Sequence, residues 1–367
     1  MAKGAFPRRL TKPVQSTARW SAARATTWAQ ESGWMMGCNF APSTAGNQLE
    51  MWQQDTFDPA TIDRELGWAA ELGMNSVRVF LHDLLWESEG EEFLDRVDEF
   101  LGIADGHGIS TMLVLFDGVW NPAPKLGPQR EPRPRLHNSM WVQGPGAAIL
   151  SDPSRWPDLR VYVEAVLRRF GSDPRVSVWD LFNEPDQTNA ISYPRQEIRR
   201  KSARVDDLLN QIFDWATAVD PDQPITAGVF VGINGATERV SRVNRTMLSR
   251  SDVISFHSYA PGGKLASTID YLGRYERPLL CTEWMARTLG SPADLIDVLA
   301  DNNVSAWNWG LVDGRCQTKY SWTSWFRRPT DDEDPWFHDL LHPDGEPYDE
   351  KEAEMLRAAA QRMKANR

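Results

Sequence analysis

Short runs rich in β-branched and aromatic residues alternate along the chain with longer stretches whose apolar positions recur at helical spacing. The first run is WMMGCNFAP (34–42). After a loop, Asp58 caps and Pro59 opens a helix through Gly73, with Ile62, Leu66 and Ala69 on one face. SVRVFL (76–81) is a second strand. Phe93, Val97, Phe100 and Leu101 mark a helix in EEFLDRVDEFLGIADGHG, and TMLVLF (111–116) is a third strand. A helix at about 157–170 leads to the fourth, VSVWDLFNEPD (176–186), and a charged helix follows at about 195–219. ITAGVFV (225–231), VISFHSY (253–259), PLLCTEW (278–284) and VSAWNWG (304–310) complete eight strands. Helices are expected between them near 236–249 and 266–275, in SPADLIDVLADN with Ser291 as its cap, and finally at about 349–365.

Eight strand runs with intervening helices predict an α/β protein with a single (β/α)8 TIM barrel. The competing open, doubly wound sheet usually brings a glycine-rich phosphate turn after its first strand, and GCNFAPSTAG is not GxGxxG. The expected layout is an N-terminal extension at 1–33, partly flexible, and a barrel over 34–367. Two long loops stand out. One follows the third strand, from Asp117 to about Pro153, with Pro122, Pro124, Pro128, Pro132, Pro134 and Pro145 inside it and no clear periodicity; Trp120 and Trp141 favour a structured loop over a linker. The other follows the eighth strand and is rich in tryptophan.

With 367 residues, a formal charge of −11 and a pI of about 5.1, the chain lacks the basic stripe that a nucleic-acid partner would require. No apolar run is long enough for a membrane span. Arg8-Arg9 has no apolar segment after it, so a twin-arginine signal is not expected, and the location expected is cytoplasmic unless a signal has been removed. Residues 1 to about 19 are basic and polar and expected to be loosely held. Cys38, Cys281 and Cys316 are an odd count without CxxC, which reads as reduced thiols. Nothing in the pattern specifies an oligomeric state. The 17 tryptophans exceed what a core needs, and several fall at strand ends and in loops, where a flat ring can stack on a ligand.

In a barrel of this kind the chemistry sits at the C-terminal ends of the strands. The residues there are Asn39, Arg78, Asp117, Asn183 with Glu184, His257 with Tyr259, Glu283 with Trp284, and Trp307 with Trp309. Strands four and seven face each other across the ring, so Glu184 and Glu283 can reach one ligand from opposite sides. Two carboxyls flanking a ligand suit glycoside hydrolysis, one protonated to help the leaving oxygen depart and one ionised to attack. A carboxylate beside Arg78 should stay ionised, and its charge should raise the pKa of the other. The six histidines (82, 107, 137, 257, 338 and 342) are scattered, which does not suit a metal-dependent barrel hydrolase; His338 and His342 read as loop residues. Neither a GxSxG elbow nor a P-loop is present.

Asn-Glu-Pro at 183–185, Glu283 ending strand seven and the HxY pair His257/Tyr259 resemble the retaining glycoside hydrolases of the large (β/α)8 clan, closest to family five, from about residue 34 to 360. The resemblance implies Glu184 as acid/base, Glu283 as nucleophile, Asn183 on the sugar 2-hydroxyl, Arg78 beside the nucleophile, and His257 and Tyr259 holding the two carboxylates. It implies Trp307 as a sugar-stacking floor. Trp309, Asn39, Trp120 and Trp284 are further candidates for binding. Typical members carry His or His-Asn at the third strand's exit, where this chain has Asp117. The implied activity is retaining β-glycoside hydrolysis of a β-linked carbohydrate, with no cofactor or metal; the two long loops, by walling off one end of the cleft, would favour exo action on short oligosaccharides. A transglycosidase using the same carboxylates and a silent carbohydrate-binding barrel remain as alternatives.

Overall fold

The computed structural model describes residues 19–230, 232, 240–332 and 334–365. Val77, Val79, Leu113 and Leu115 turn out of the sheet and pack with Ile62, Leu66, Val97 and Leu101 of the flanking helices. Burial on both faces explains why the strands read as nearly continuous apolar runs. The strands are β1 (Met36–Asn39), β2 (Ser76–Phe80), β3 (Ser110–Val114), β4 (Val176–Asn183), β5 (Ile225–Gly228), β6 (Ile254–His257), β7 (Leu279–Trp284) and β8 (Ser305–Trp309). All pairs between neighbouring strands are parallel, in the order β5-β4-β3-β2-β1-β8-β7-β6. Val229, just past β5, closes the ring. Its N–H donates to the Ser255 carbonyl (3.1 Å) and its carbonyl accepts from the His257 N–H (3.0 Å). The chain is a single (β/α)8 barrel, as the alternation predicts.

The helix Pro59–Glu71 starts where the sequence says, with the Asp58 carboxylate accepting from the Thr61 N–H at 3.1 Å. Elsewhere local contacts move the boundaries. The charged helix begins at Lys201, because Arg200 is left-handed (φ 58°) and the Glu197 carboxylate is turned to Asn189 and Lys201. Ser291 caps nothing; it pairs with Ala286 in an isolated bridge, and the helix runs from Leu295 to Asp301. Arg8-Arg9 and the rest of 1–18 lie outside the described residues, as do the end of the fifth strand run and 236–239 of the helix expected at 236–249.

The chain also builds a plug that periodicity did not reveal. Helix Ala22–Ser32 lies across the N-terminal end of the barrel, where Ala25 packs with Met35, Met112, Val178, Val253, Leu280 and Trp307. Asp252 accepts from the Trp20 N–H (2.7 Å), and Arg277 donates to the Trp20 carbonyl (2.7 Å). Cys38, Cys281 and Cys316 are free thiols. Among the described residues, no helix is long and apolar enough to cross a membrane.

Candidate active site

Strict alternation along β4 would turn Asp180 and then Phe182 into the barrel. Instead the β4–β5 register shifts between Asp180 and Asn183. Phe182 joins the layer between strands and helices, while Asn183 and Glu184 line a cavity at the mouth. The same happens on β7, where the β7–β8 register shifts between Cys281 and Trp284. Leu280 faces inward, Glu283 faces the cavity, and Trp284 falls in the outer layer. Such irregularities commonly re-aim side chains beside active sites. Glu184 itself is left-handed (φ 40°), a conformation that costs a non-glycine residue about 1–3 kcal/mol. Gly118 lets the chain after β3 lie against it, since a Cβ there would come within 2.2 Å of the Glu184 carbonyl oxygen.

Arg78 organises the base of the site from a fully buried position. It donates to Asp180 (2.8 and 3.1 Å), to Glu283 Oε1 (3.2 Å), and to the side-chain oxygens of Asn39 and Asn183 (each 2.6 Å). Asn39 is fixed in turn by the Thr282 and Asn308 carbonyls. Tyr259 donates to Glu283 Oε2 (2.6 Å), and His257 Nδ1 lies 2.6 Å from Glu184 Oε1 and 3.5 Å from Glu283 Oε2. One donor atom from each of Glu184, His257 and Glu283 lies within 4.8 Å of the others. Among the described residues these three are thus close enough to hold a metal ion, but two of their atoms already contact each other. Gly228 leaves the His257 ring its space, because a Cβ there would sit 3.2 Å from Nε2.

Burial governs the electrostatics. It pushes the Glu184 carboxyl up to about 8, against the pull of Arg78. It pushes Glu283 up to about 7; the Glu184 charge adds to the rise, while Arg78 and the Tyr259 hydroxyl oppose it. Arg78 therefore does not hold its neighbour in the ordinary carboxylate range; desolvation outweighs it. Burial also lowers His257 to about 4, so the ring is neutral.

The cavity, of about 300 Å³, is lined by Asn183, Glu184, Tyr259, Glu283, Trp309 and Trp120 of the expected residues. Asp117 lies just behind it. Its carboxylate accepts from Asn183 (2.9 Å), Trp141 (2.6 Å), Gln48 (3.1 Å) and the Val119 N–H (3.1 Å). Burial raises it to about 7 against the Asn183 and Trp141 donors. Asp117 thus positions Asn183 and does not meet the cavity. Trp141 packs edge-on against Trp309 (5.3 Å between ring centres).

Asn39, held against Arg78, does not line the cavity, and two expected tryptophans lie elsewhere. Trp307 is not the floor of the site; it is fully buried one layer lower with Met112 and Val178. Trp307 and Trp309 do share the inward face, but residues two apart on a strand differ in height by about 6.6 Å. Trp284 is turned to the opposite face by the irregularity on β7.

The loops supply walls that strand reading missed. His137 and Asn138 come from the loop after β3, and Trp322, Trp325, Phe326 and His338 from the loop after β8. The two loops are bonded together. Asn138 N–H donates to the Cys316 carbonyl (2.9 Å), His137 Nδ1–H to the Tyr320 carbonyl (2.8 Å), and Trp325 Nε1–H to the His137 carbonyl (2.9 Å). His338 donates Nδ1–H to the Met285 carbonyl (2.7 Å), and burial holds its pKa well down, so Nε2 is an acceptor beside Tyr259. The sequence signals for these walls were the length of the two loops, Trp120 and Trp141 in the first, and the concentration of tryptophan in the second.

No protein-family model matches the chain, and no curated protein matches it. Solved structures do. A GH5_18 protein from Streptomyces cattleya, crystallised with GlcNAc, aligns over 91% of this chain and 82% of its own at 13% identity and a TM-score of 0.58. An endo-β-1,4-mannanase from Thermotoga petrophila aligns over 92% and 78% at 12% identity and a TM-score of 0.59. An exo-β-1,4-mannosidase from Opitutaceae bacterium strain TAV5 aligns over 90% of this chain but 60% of its own, at 19% identity and a TM-score of 0.58. The likeness is one of fold.

Proposed function

We propose that the protein is a retaining β-glycoside hydrolase. The observation that carries the reading is the Glu184–Glu283 pair at the cavity, with a carboxylate oxygen of each within 4.8 Å of the other. Retaining enzymes place their carboxyls about 5–5.5 Å apart; inversion needs about 6.5–9.5 Å to admit a water. The mannanases, the mannosidase and the GH5_18 proteins that share the fold support the same class of reaction.

Glu184, protonated, delivers its proton to the leaving oxygen as the glycosidic C–O bond breaks. Glu283 attacks the anomeric carbon and becomes the ester of a glycosyl-enzyme. Glu184, now ionised, takes a proton from water, the water attacks the same carbon, and Glu283 is released with net retention. Arg78 and Tyr259 orient the two oxygens of Glu283, and neutral His257 orients Glu184. Asn183, aimed by Arg78 and Asp117, faces the sugar 2-hydroxyl. The wall made by the bonded loops after β3 and β8 favours exo action on one terminal sugar.

The test is a screen of aryl β-glycosides with proton NMR of the first-formed sugar. The β-anomer should appear first, and Glu283→Gln should lose turnover. An initial α-anomer, or full turnover by Glu283→Gln, overturns the mechanism; long oligomers released from a soluble polymer overturn exo action.

A further inference from the structure

Of the large apolar side chains exposed on the described surface, the two most exposed are Ile191 (67%) and Phe326 (68%). Both line the mouth of the cavity that holds Glu184 and Glu283, one from the loop after β4 and the other from the loop after β8. Single exposed apolar residues are ordinary; here two from separate loops line one cavity mouth. Behind them Trp120 and Trp325 stack face to face, 5.4 Å between ring centres and 13° between planes, and Tyr193 packs against Trp325 at 5.2 Å.

The position of this patch says which half of a substrate it meets. An acid must lie within hydrogen-bond reach of the oxygen that it protonates. The leaving group is therefore on the Glu184 side, and the loop that carries Ile191 continues directly from Glu184. Among the described residues, no charged side chain apart from Glu184 and Glu283 lines the cavity. A second sugar ring would ask for hydrogen-bond partners around its edge and a flat ring above its face. Gln187, Thr188 and Ser192 of the same loop could serve a sugar's edge, but Ile191 and Phe326 offer only hydrocarbon, and they stand outermost at the mouth.

We infer that the leaving-group side of the site takes an apolar aglycone, so that the substrates are β-glycosides of alkyl or aryl alcohols in preference to oligosaccharides. This rests on the glycosidase reading and narrows its substrate class.

The experiment compares octyl and methyl β-glycosides of glucose, mannose, galactose and xylose with β-linked disaccharides of the same sugars, measuring released sugar. Octanol and methanol both leave as simple alkoxides that need the same proton, so their ratio reports contact with the chain. For the sugar that is accepted, kcat/KM for the octyl glycoside should exceed that for the methyl glycoside by about tenfold or more, given the apolar area buried, and should exceed that for the disaccharide. In the double variant Ile191→Ser/Phe326→Ser the octyl-to-methyl ratio should fall toward one; both sites are exposed, and an unchanged melting temperature will show the fold intact. A disaccharide preferred over the octyl glycoside, or a ratio that survives the double substitution, overturns the inference and leaves the glycosidase reading standing. If none of these compounds is cleaved, that reading fails and takes the inference with it.

Discussion

The two ends of the barrel are made by the same strands and differ in almost everything else. At the N-terminal end Met112, Val178, Leu280 and Trp307 meet helix Ala22–Ser32 in a dry apolar layer. Two residues further along β4, Asp180 takes the place of Val178 and pairs with Arg78 in full burial. One end is stabilised by apolar area. The other buries an ion pair and two carboxyls whose solvation has been removed, a costly arrangement tolerable only because hydrogen bonds surround it. Stability and chemistry are thus assigned to opposite ends of each strand.

Substitutions should separate the two ends cleanly. The largest effect is expected from Glu184→Gln. Turnover of glycosides with alkoxide leaving groups should drop by about 10²–10⁴-fold, whereas 4-nitrophenyl glycosides, whose leaving group departs without a proton, should suffer far less at the first step; parallel kinetics on the two types check this. At the other end, Trp307→Ala should cost about 3–5 kcal/mol of stability, read by urea unfolding, while turnover per folded molecule stays near that of the parent. Asp117→Asn should lie between the two kinds of effect. It loosens Asn183 and Trp141 without touching the cavity, and a loss of about tenfold in kcat/KM is expected, roughly one charge-assisted hydrogen bond.

Protonation gives the subtler contrast. Glu283 must be ionised and Glu184 protonated, so activity should fall below about pH 7 and again above about pH 8, a narrow bell in kcat/KM. Both carboxyls have folded pKa values above the ordinary 4.5. The stability they allow is therefore full below that value and lost as pH rises through about 7 to 8. Glu184→Gln should accordingly raise the melting temperature at pH 9 and change it little at pH 5, measured by thermal unfolding in the two buffers. The protein would be trading stability for the proposed chemistry at this end alone.

Strand order and barrel class were legible because alternation of apolar runs with helical spacing survives any choice of loops. Glu184, Glu283, Arg78, His257 and Tyr259 could be located as strand-exit residues, and they are within contact distance of one another in the structure. The height of a residue within the barrel was not legible: Trp307 and Trp309 look equivalent in sequence and lie in different layers. Nor was the phase of a strand after a register shift, which sends Trp284 outward beside an inward Glu283. The two long loops could be expected to wall one end of the cleft, but not the residues by which they do so, since no period in the sequence says that His137 will lie beside Tyr320 and His338. The expected Trp-bearing loops were found, but their partners are a tertiary fact.

The seam at Val229 has a kinetic consequence. Every other pair of adjacent strands is sewn by a ladder, whereas β5 and β6 meet through an isolated bridge with two amide bonds at Val229, through the Asp252 N–H donating to the Ile225 carbonyl (2.8 Å), and through side-chain bonds of Thr226 and Asp252. The amide protons of Val229 and His257 should be the first of the barrel to exchange with deuterium, since few bonds must open to release them. His257 sits on that seam with its ring against Glu184. Each breath of the ring would then momentarily uncouple Glu184 from its holder, so that the rate of opening at one joint sets how often the carboxyl proposed as proton donor is out of alignment.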